Sequence, residues 1–544
     1  MGLLLQSRAL CHSQSPVRSR PYTLLHPVLF GAYAVVFLYA ENLDLVRLDE
    51  ILRALVVAVV AAALVLVVTS LALRDVAAGA VLASALVLLF FFALTPIKGL
   101  VDRISTPPAL EGVLHGGLLG IEFVLVAVAA IVSTLAIVRR WPKHLPGINT
   151  AMTVGAIILL AFPVVTIATT RPAALPSGAS GPGQLVASRS SQRDIFYVIL
   201  DRYGSNYALD RSFGVTSNDL PEWLGQQGFF VADRAVANYD RTSLSVVSTL
   251  SLDYIDDVLQ SMGPDSTDWQ SVFHLIQDHS VGRFLKDQGY QYVHVGNWKA
   301  TMGFIDIADR NVRMDAINEF EAVLYDETAL PALAALVQLQ APVPQVEQLQ
   351  YNTARFQFSS LASLADEPGR KFVFAHVLLP HDPFVFQADG TFYYGWERGG
   401  RDSEDDRFQN QVAYVNSAVK ELVTHLMDRP YSERPIVIIQ ADEGPYPPRY
   451  RSDLLGFQWE SATDEEIATK FGILDAFYFP TDDGEPANLP APYATISSVN
   501  TFRLLFDHYF GTGMGLLPDR TFAPYVAEKP FDVFEISDRL AASP

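Results

Sequence analysis

Five long apolar segments in the first third of the chain constrain its fold more than any other feature. They cover roughly residues 26–40, 51–73, 76–95, 116–138 and 151–169. Most approach the ~20 residues that an α-helix needs to cross a bilayer, and a helix satisfies its backbone polar groups internally, as the hydrocarbon core requires. The sequence therefore predicts five transmembrane helices. A signal peptide is disfavoured for the first segment, because no small-residue cleavage site stands out and further apolar segments follow.

The distribution of charge predicts the orientation of these helices. Basic residues precede the first segment and lie between the fourth and the fifth, whereas acidic residues lie between the first and the second; Lys98 and Arg103 are weak exceptions. Basic residues mark the cytoplasmic side of a membrane. The N-terminus is therefore expected in the cytoplasm, and an odd number of spans places everything after Thr170 outside it.

Residues 171–193 are rich in Pro, Gly, Ser and Ala and show no periodicity. That composition is typical of a flexible linker and marks the clearest domain boundary. We expect a transmembrane domain over residues 1–170, the linker over 171–193 and an extracytoplasmic domain over 194–544.

Net charge and cysteine content exclude several classes of function. The formal net charge is -20, and acidic residues are dense beyond Asp194. A nucleic-acid partner would require clustered Lys and Arg, so none is expected. The single cysteine, Cys11, excludes an intrachain disulfide, a cysteine-based zinc site and a catalytic cysteine in the C-terminal half.

Two apolar runs in the extracytoplasmic part end in carboxylates. Residues 195–200 are continuously apolar, which is typical of a strand buried on both faces of a mainly parallel sheet, and Asp201 follows at once. Residues 435–440 form a similar run that leads into Asp442 and Glu443. Ligands of open α/β sheets bind beyond the carboxyl ends of the strands, and adjacent carboxylates repel unless a cation neutralises them. A metal site is therefore predicted there, although Asp201 alone could merely begin a turn.

Hydroxyl and imidazole side chains supply further candidates. Thr242 and Ser243 stand at the start of a predicted helix, where each could cap the helix or attack a bound phosphorus atom. His381 lies in a Pro-His-Asp-Pro turn after a buried strand, which would present it to the ligand crevice. His376 lies inside that strand and is interpreted as a core residue. Residues 330–343 are unusually apolar; domain core is favoured over the bilayer surface or a cover for the active site.

Four motifs occur in the order found in the alkaline phosphatase and sulfatase superfamily: VILDRYGS, RTSLS, PHDPF, and IVIIQADEGP followed by KFGILDAFYFP. The chain resembles the membrane-anchored branch, which includes lipoteichoic acid synthases, phosphoethanolamine transferases and phosphoglycerol transferases. The resemblance implies an alkaline-phosphatase-like α/β domain with a mainly parallel central sheet behind five transmembrane helices. The chain departs from the branch at Glu443, where a metal-binding histidine is usual. The sulfatase signature Cys/Ser-x-Pro-Ser-Arg is absent, which argues against true sulfatase activity.

The resemblance also implies roles for individual residues. The metal ligands would be Asp201, Thr242, Asp442 and Glu443, with Thr242 also the nucleophile. His381 would contact the substrate or leaving group, and the substrate-binding set would be His294, Trp298 and Ser243. Ser243 is in addition the competing nucleophile.

The implied activity is metal-dependent transfer of a phosphoglycerol or phosphoethanolamine type of head group through a phosphothreonine intermediate. The donor would be a membrane phospholipid and the acceptor an envelope glycan or lipid. One or two divalent cations are expected, with Mn²⁺ or Mg²⁺ favoured over Zn²⁺ because the implied ligands are all oxygens. The protein would be multi-pass in a bacterial cytoplasmic (inner) membrane, with its C-terminal domain periplasmic or extracellular. The alternatives are a phosphoester or phosphodiester hydrolase on the same site, and a non-catalytic envelope-assembly module.

Overall fold

The chain forms two compact units in its computed structural model. One contains residues 1–170 and 323–342, and the other contains residues 171–322 and 343–544. The structure describes residues 21–43, 45–93, 111–170, 185–266, 268–314, 317–336, 346–394, 402–481 and 489–541.

The N-terminal unit consists of apolar helices: α1 (His26–Ala40), α2 (Leu52–Leu73), α3 (Val76–Phe92), α4 (Glu111–Arg140) and α5 (Leu145–Thr169). Three described stretches are long and apolar enough to cross a membrane: Leu48–Leu73, Ile121–Arg140 and Pro142–Thr169. Helices α1 and α3 are apolar but shorter. The prediction of an apolar helical N-terminal part is confirmed, while the count of five spans remains a prediction.

The apolar run that joins α2 to α3 is broken by two polar residues. Arg74 adopts a left-handed backbone with φ 52°, which ends α2. Asp75 then caps α3, because its carboxylate accepts hydrogen bonds from the amides of Ala77 and Ala78. The Arg74 amide bonds the Leu71 carbonyl oxygen at the end of α2, and Asp75 bonds amides at the start of α3. These backbone groups would otherwise lack hydrogen-bond partners.

The second unit is an α/β domain built on a seven-stranded sheet in the order β2-β7-β6-β1-β5-β3-β4. Its strands are β1 (Ile195–Leu200), β2 (Phe230–Val231), β3 (Gln291–Val295), β4 (Arg310–Val312), β5 (Lys371–Val377), β6 (Ile436–Gln440) and β7 (Asp475–Tyr478). Strands β8 (Phe522–Pro524) and β9 (Val533–Glu535) form a separate antiparallel pair. Strands β6, β1, β5, β3 and β4 run parallel to one another. Strand β7 pairs antiparallel with β6, and β2 pairs antiparallel with β7. The predicted mainly parallel α/β fold is confirmed.

The helices that follow α5 along the chain are α6 (Asn206–Phe213), α7 (Leu220–Gln226), α8 (Thr242–Ser251), α9 (Asp256–Met262), α10 (Gln270–Gln277), α11 (Ser280–Asp287), α12 (Glu319–Glu327), α13 (Leu330–Leu336), α14 (Val346–Asp366), α15 (Glu404–Met427), α16 (Pro448–Ser452), α17 (Asp464–Phe471), α18 (Asn500–Phe510) and α19 (Ser537–Ala541).

Strand β1 lies at the centre of the sheet, and all six of its residues are buried. It pairs in parallel with β5 on one side and β6 on the other, so that Ile199 is opposite both His376 and Gln440. Because parallel strands end at the same edge, the residues that follow β1, β5 and β6 converge there.

The apolar segment that begins at residue 330 does not join the core of the α/β domain. Residues 323–342 belong to the unit that contains the membrane helices. Ala329 and Ala332 are buried against Phe123 of α4. The interpretation of residues 330–336 as domain core is therefore wrong, and residues 337–343 of that segment lie outside the described part of the chain.

Buried His279 makes the stability of the α/β domain sensitive to acid. Its ring accepts a hydrogen bond from the Gly282 amide at 3.0 Å, and its other nitrogen lies 2.9 Å from the Tyr292 hydroxyl. Burial lowers the pKa of His279 to about 3. A histidine whose folded pKa lies below its unfolded value stabilises the fold above pH ~6.5 and loses that contribution as the pH falls toward 3.

We expect His279→Asn to unfold with a shallower dependence on pH than the parent protein. Asparagine still caps α11 but does not titrate. The parent should lose about 2 kcal/mol more of its free energy of unfolding than the variant between pH 7 and pH 5. Denaturant titrations of the detergent-solubilised chain at both pH values measure this difference. Equal losses in the two proteins would contradict the assignment.

Candidate active site

Three buried side chains meet at the carboxyl edge of the central strands. Asp201 follows β1, Asp442 follows β6 and His376 lies near the end of β5. The His376 Nε2 atom is 3.2 Å from Asp442 Oδ2 and 3.7 Å from Asp201 Oδ2. One potential metal-ligand atom from each residue lies within 4.8 Å of the others. The group has the donor types and the spacing that a divalent cation requires.

Burial and mutual charge shift the protonation of all three groups. Burial and the neighbouring Asp442 raise the pKa of Asp201 well above its usual value. Burial would also raise the pKa of Asp442, but the hydrogen bond and charge of His376 lower it. Burial opposes charge on His376, yet its two carboxylate neighbours raise its pKa. A proton on His376 thus offsets part of the carboxylate charge, which a metal ion would offset more completely.

One buried atom of this group has no hydrogen-bond partner. Asp201 Oδ1 is inaccessible to solvent and unpaired, whereas Asp442 Oδ1 accepts hydrogen bonds from the amides of Arg202 and Glu443 at 3.2 and 3.0 Å. An unpaired buried carboxylate oxygen is costly unless a cation or water binds it. The residues present therefore fit a divalent metal ion.

Thr242 lies beside this group at the first position of α8. Arg241, in extended conformation, precedes the helix as its N-cap residue. The Thr242 hydroxyl is within hydrogen-bonding reach of Asp442 and contributes to that residue's low pKa. Thr242 and Ser243 are both partly accessible. A hydroxyl at a helix N-terminus lies near free backbone amides, which favour a bound phosphate.

Glu443 is held by two cations. Its Oε1 atom accepts a hydrogen bond from Arg202 Nε at 2.8 Å, and its Oε2 atom pairs with Lys470 Nζ at 2.9 Å. Arg202 also bonds Asp382 at 2.8 Å and stacks on Tyr446, with Cζ 3.9 Å from the ring centroid. Both Glu443 and Lys470 are buried. Glu443 thus joins an ion-pair network, and the described group that could hold a metal contains His376 instead.

Removing the Glu443 carboxylate should destabilise the domain strongly. Glu443→Ala would leave Lys470 charged and buried, and breaking a buried pair costs ~3–5 kcal/mol of free energy of unfolding. The control is Asp382→Asn, which removes the exposed partner of Arg202 and should cost less than ~1 kcal/mol. Chemical denaturation of both variants gives the comparison. Similar losses in the two would show that the Lys470–Glu443 pair contributes little.

His381 borders a cavity on one side of the site. The cavity has a volume of about 240 Å³ and is lined by Arg202, Phe213, Pro380, His381, Asp382, Phe384, Glu404, Phe408, Pro445, Tyr446, Arg451 and Leu454. Burial and the Arg202 charge lower the pKa of His381 to about 3. In its neutral form His381 can donate or accept a hydrogen bond at this cavity.

The other predicted substrate residues lie elsewhere in the domain. His294 is fully buried in β3, with Nε2 3.0 Å from the Met302 carbonyl oxygen, and burial lowers its pKa to about 4. Trp298 donates its indole N–H to Gln350 Oε1 at 2.8 Å. Neither residue lines the cavity beside His381.

Comparison with known proteins places the chain in a family. The sulfatase family model matches residues 193–476, which is more than half of the chain. The chain belongs to the sulfatase family. Membership of the alkaline phosphatase and sulfatase superfamily is thereby confirmed, and with it the prediction of an enzyme. No curated protein matches the chain.

Several solved structures resemble this member of the sulfatase family at low identity. The C-terminal periplasmic domain of EcEptC from Escherichia coli, in complex with Zn, is 10% identical, with 68% of this chain and 98% of that chain covered and a TM-score of 0.41. The C-terminal periplasmic domain of phosphoethanolamine transferase EptC from Campylobacter jejuni is 13% identical, with 59% and 90% covered and a TM-score of 0.36. The phosphonate monoester hydrolase of Agrobacterium radiobacter is 10% identical, with 61% and 80% covered and a TM-score of 0.38. The assignment to the sulfatase family rests on the sequence model alone.

Sequence reasoning missed His376 and Lys470 in this family member. A histidine inside a buried strand is expected to be a core residue, and the sequence favours that interpretation of His376. Its position in β5 opposite Ile199, two residues before Asp201, brings it to the carboxylates. The available signal was a lone polar residue near the end of an otherwise apolar strand, five residues before His381.

Proposed function

We propose that this protein transfers a phospho-head group, of phosphoglycerol or phosphoethanolamine type, from a membrane phospholipid to an envelope glycan or lipid. The observation that carries the proposal is the buried Asp201–His376–Asp442 group with the Thr242 hydroxyl in reach of Asp442. An apolar helical N-terminal unit supports a substrate that stays in the bilayer. We place the α/β domain on the periplasmic or outer face of a bacterial inner membrane, following the charge distribution.

Thr242 serves as the nucleophile in this proposal. In the first step a bond forms between Thr242 Oγ and phosphorus while the bond from phosphorus to the lipid oxygen breaks. The hydroxyl proton leaves Thr242, and the departing diacylglycerol takes up a proton. In the second step an acceptor hydroxyl forms a bond to phosphorus and gives up its proton, the Thr242 Oγ–phosphorus bond breaks, and Thr242 regains its hydroxyl.

The remaining side chains orient the reacting groups. Asp442 lies within reach of the Thr242 hydroxyl and can direct its oxygen, and the free amides at the start of α8 suit the phosphoryl oxygens. Neutral His381 and the fixed Arg202 guanidinium border the cavity where a head group fits. Ser243 stands next to the reacting oxygen and is the alternative nucleophile.

We propose that a divalent cation is held by Asp201, His376 and Asp442, with Thr242 as a further oxygen ligand. Such a cation withdraws charge from phosphoryl oxygens and makes a bound hydroxyl more acidic. The preference for Mn²⁺ or Mg²⁺ depends on Glu443 being a ligand. With an imidazole in the set, Zn²⁺ or Mn²⁺ suits the site better than Mg²⁺ does.

Donor turnover with and without an acceptor tests the proposed function. Full-length protein in vesicles that contain head-group-labelled phosphatidylglycerol or phosphatidylethanolamine should release diacylglycerol faster when an envelope glycan is added, and label should appear on the glycan. Release of free head-group phosphate at an unchanged rate would identify a hydrolase. Absence of turnover together with absence of bound metal would identify a non-catalytic module.

A further inference from the structure

The chain leaves the α/β domain at Val323 and returns to it at Val343, and the intervening residues belong to the membrane unit. We infer that residues 323–342 are a membrane-docking element, which attaches the catalytic domain to the transmembrane helices independently of the predicted linker at residues 171–193. This inference does not depend on the proposed reaction.

Small residues make the contact between this docking element and the membrane helices. The Ala329 amide donates a hydrogen bond to the carbonyl oxygen of Phe90, at 2.9 Å. Ala329 is 0% exposed and Ala332 is 5% exposed, and both pack on Phe123. Leu89, Ala93 and Ala127 border the same cluster. Small side chains permit close approach of helices. Such close packing drives the association of helices in membranes, because the hydrophobic effect does not favour helix contacts over lipid contacts there.

The position of the contact agrees with the orientation predicted from charge. Phe90 lies near the C-terminal end of α3, and Phe123 precedes Arg139 of α4 by sixteen residues, or about 24 Å of helix. The basic pair Arg139 and Arg140 marks the cytoplasmic end of α4. The docking element therefore contacts α3 near its C-terminal end and α4 in the half farther from Arg139, which is the side on which the catalytic domain is expected.

Each end of the docking element continues into residues that are fixed within the α/β domain. Before it, Glu319 accepts hydrogen bonds from Lys299 Nζ at 3.0 Å and from the Ala300 amide at 2.9 Å. After it, Gln350 accepts the Trp298 indole hydrogen bond at 2.8 Å. The described residues on both sides of the docking element thus bond to residues 298–300 of the α/β domain.

The test separates docking from the covalent linker. A site for a specific protease is inserted within residues 175–180 of the full chain, the protein is cut in isolated membranes, and the membranes are sedimented. The cut catalytic fragment should sediment with the membranes. Ala329→Asp with Ala332→Asp should raise the soluble share of the fragment at least about tenfold, since a carboxylate at a membrane-helix contact is costly.

The matched control is Leu330→Asp, on the same helix but 36% exposed, which should leave the fragment sedimenting. Release of the unmodified fragment on cutting, or retention of the double variant, would overturn the inference. Released fragment is checked by size-exclusion chromatography, so that misfolding is not mistaken for loss of docking.

A disulfide trap tests the same contact without disturbing it. In a Cys11→Ser background, the pair Phe90→Cys and Ala329→Cys should form a disulfide on mild oxidation, because their backbones are hydrogen-bonded. The two fragments would then migrate as one on a non-reducing gel after cutting. Either cysteine alone should give two fragments, and failure of the pair to join them would count against docking at this position.

Discussion

Thr242→Ala should lower turnover of the phospholipid donor by at least about 10³-fold, because the two-step transfer then lacks the hydroxyl that attacks phosphorus. The fold should be unaffected: Arg241, not Thr242, is the N-cap residue of α8, and alanine is favourable inside a helix. Turnover of labelled donor in vesicles measures the loss. Mass spectrometry of the parent protein, quenched during turnover, should find the phospho-head group on Thr242.

Ser243→Ala is the control for this substitution. It removes the neighbouring hydroxyl, which is also partly accessible at the start of α8, and should retain most of the activity. A dead Ser243→Ala and an active Thr242→Ala would place the nucleophile one residue later in the chain.

His376→Gln should weaken metal binding by at least about 100-fold, because it removes a ligand. Mutation of a residue that only hydrogen-bonds a ligand already lowers metal affinity by about 10–100-fold. Glu443→Gln should change the affinity less than tenfold, because Glu443 is occupied by Arg202 and Lys470. Isothermal titration of metal-stripped protein with Zn²⁺ and Mn²⁺ measures both. Affinity of the parent should fall as the pH is lowered, because the cation must displace the His376 proton.

The opposite result for the two variants would support the ligand set implied by the family resemblance, which includes Glu443. Loss of binding in Glu443→Gln, with His376→Gln unaffected, would mean that Glu443 exchanges its ion pairs for the metal. Strong Mg²⁺ binding in the parent would favour an all-oxygen site over one that includes imidazole.

Much of the fold follows from local sequence. The apolar lengths near residues 51–73 and 151–169 predict helices of membrane-spanning length, because span length and backbone pairing are properties of a single segment. The continuous apolar run of β1 predicts a buried central strand for the same reason. The helix that starts at Thr242 and the carboxylates after β1 and β6 can likewise be predicted from the local sequence.

The partners of the charged groups could not be predicted in this way. Whether Glu443 faces a metal or two cations depends on Lys470, which α17 brings to it, and on Arg202, which adopts a left-handed backbone with φ 64° after β1. A non-glycine residue rarely takes that conformation. The sequence near Glu443 does not predict either of these ion-pair partners.

By itself the sequence determined the apolar helical N-terminal part, the mainly parallel α/β domain, the family, and the carboxylates at the strand ends, because each is encoded in a contiguous run of residues. Only the tertiary structure decided that His376 joins Asp201 and Asp442, that Glu443 is paired with Arg202 and Lys470, and that Ala329 and Ala332 pack with the membrane helices. The physical reason is that these three outcomes depend on contacts between segments far apart in the chain. Strand register brings His376 to Asp201 across 175 residues of sequence, and the Ala329 amide bonds the Phe90 carbonyl oxygen across 239 residues.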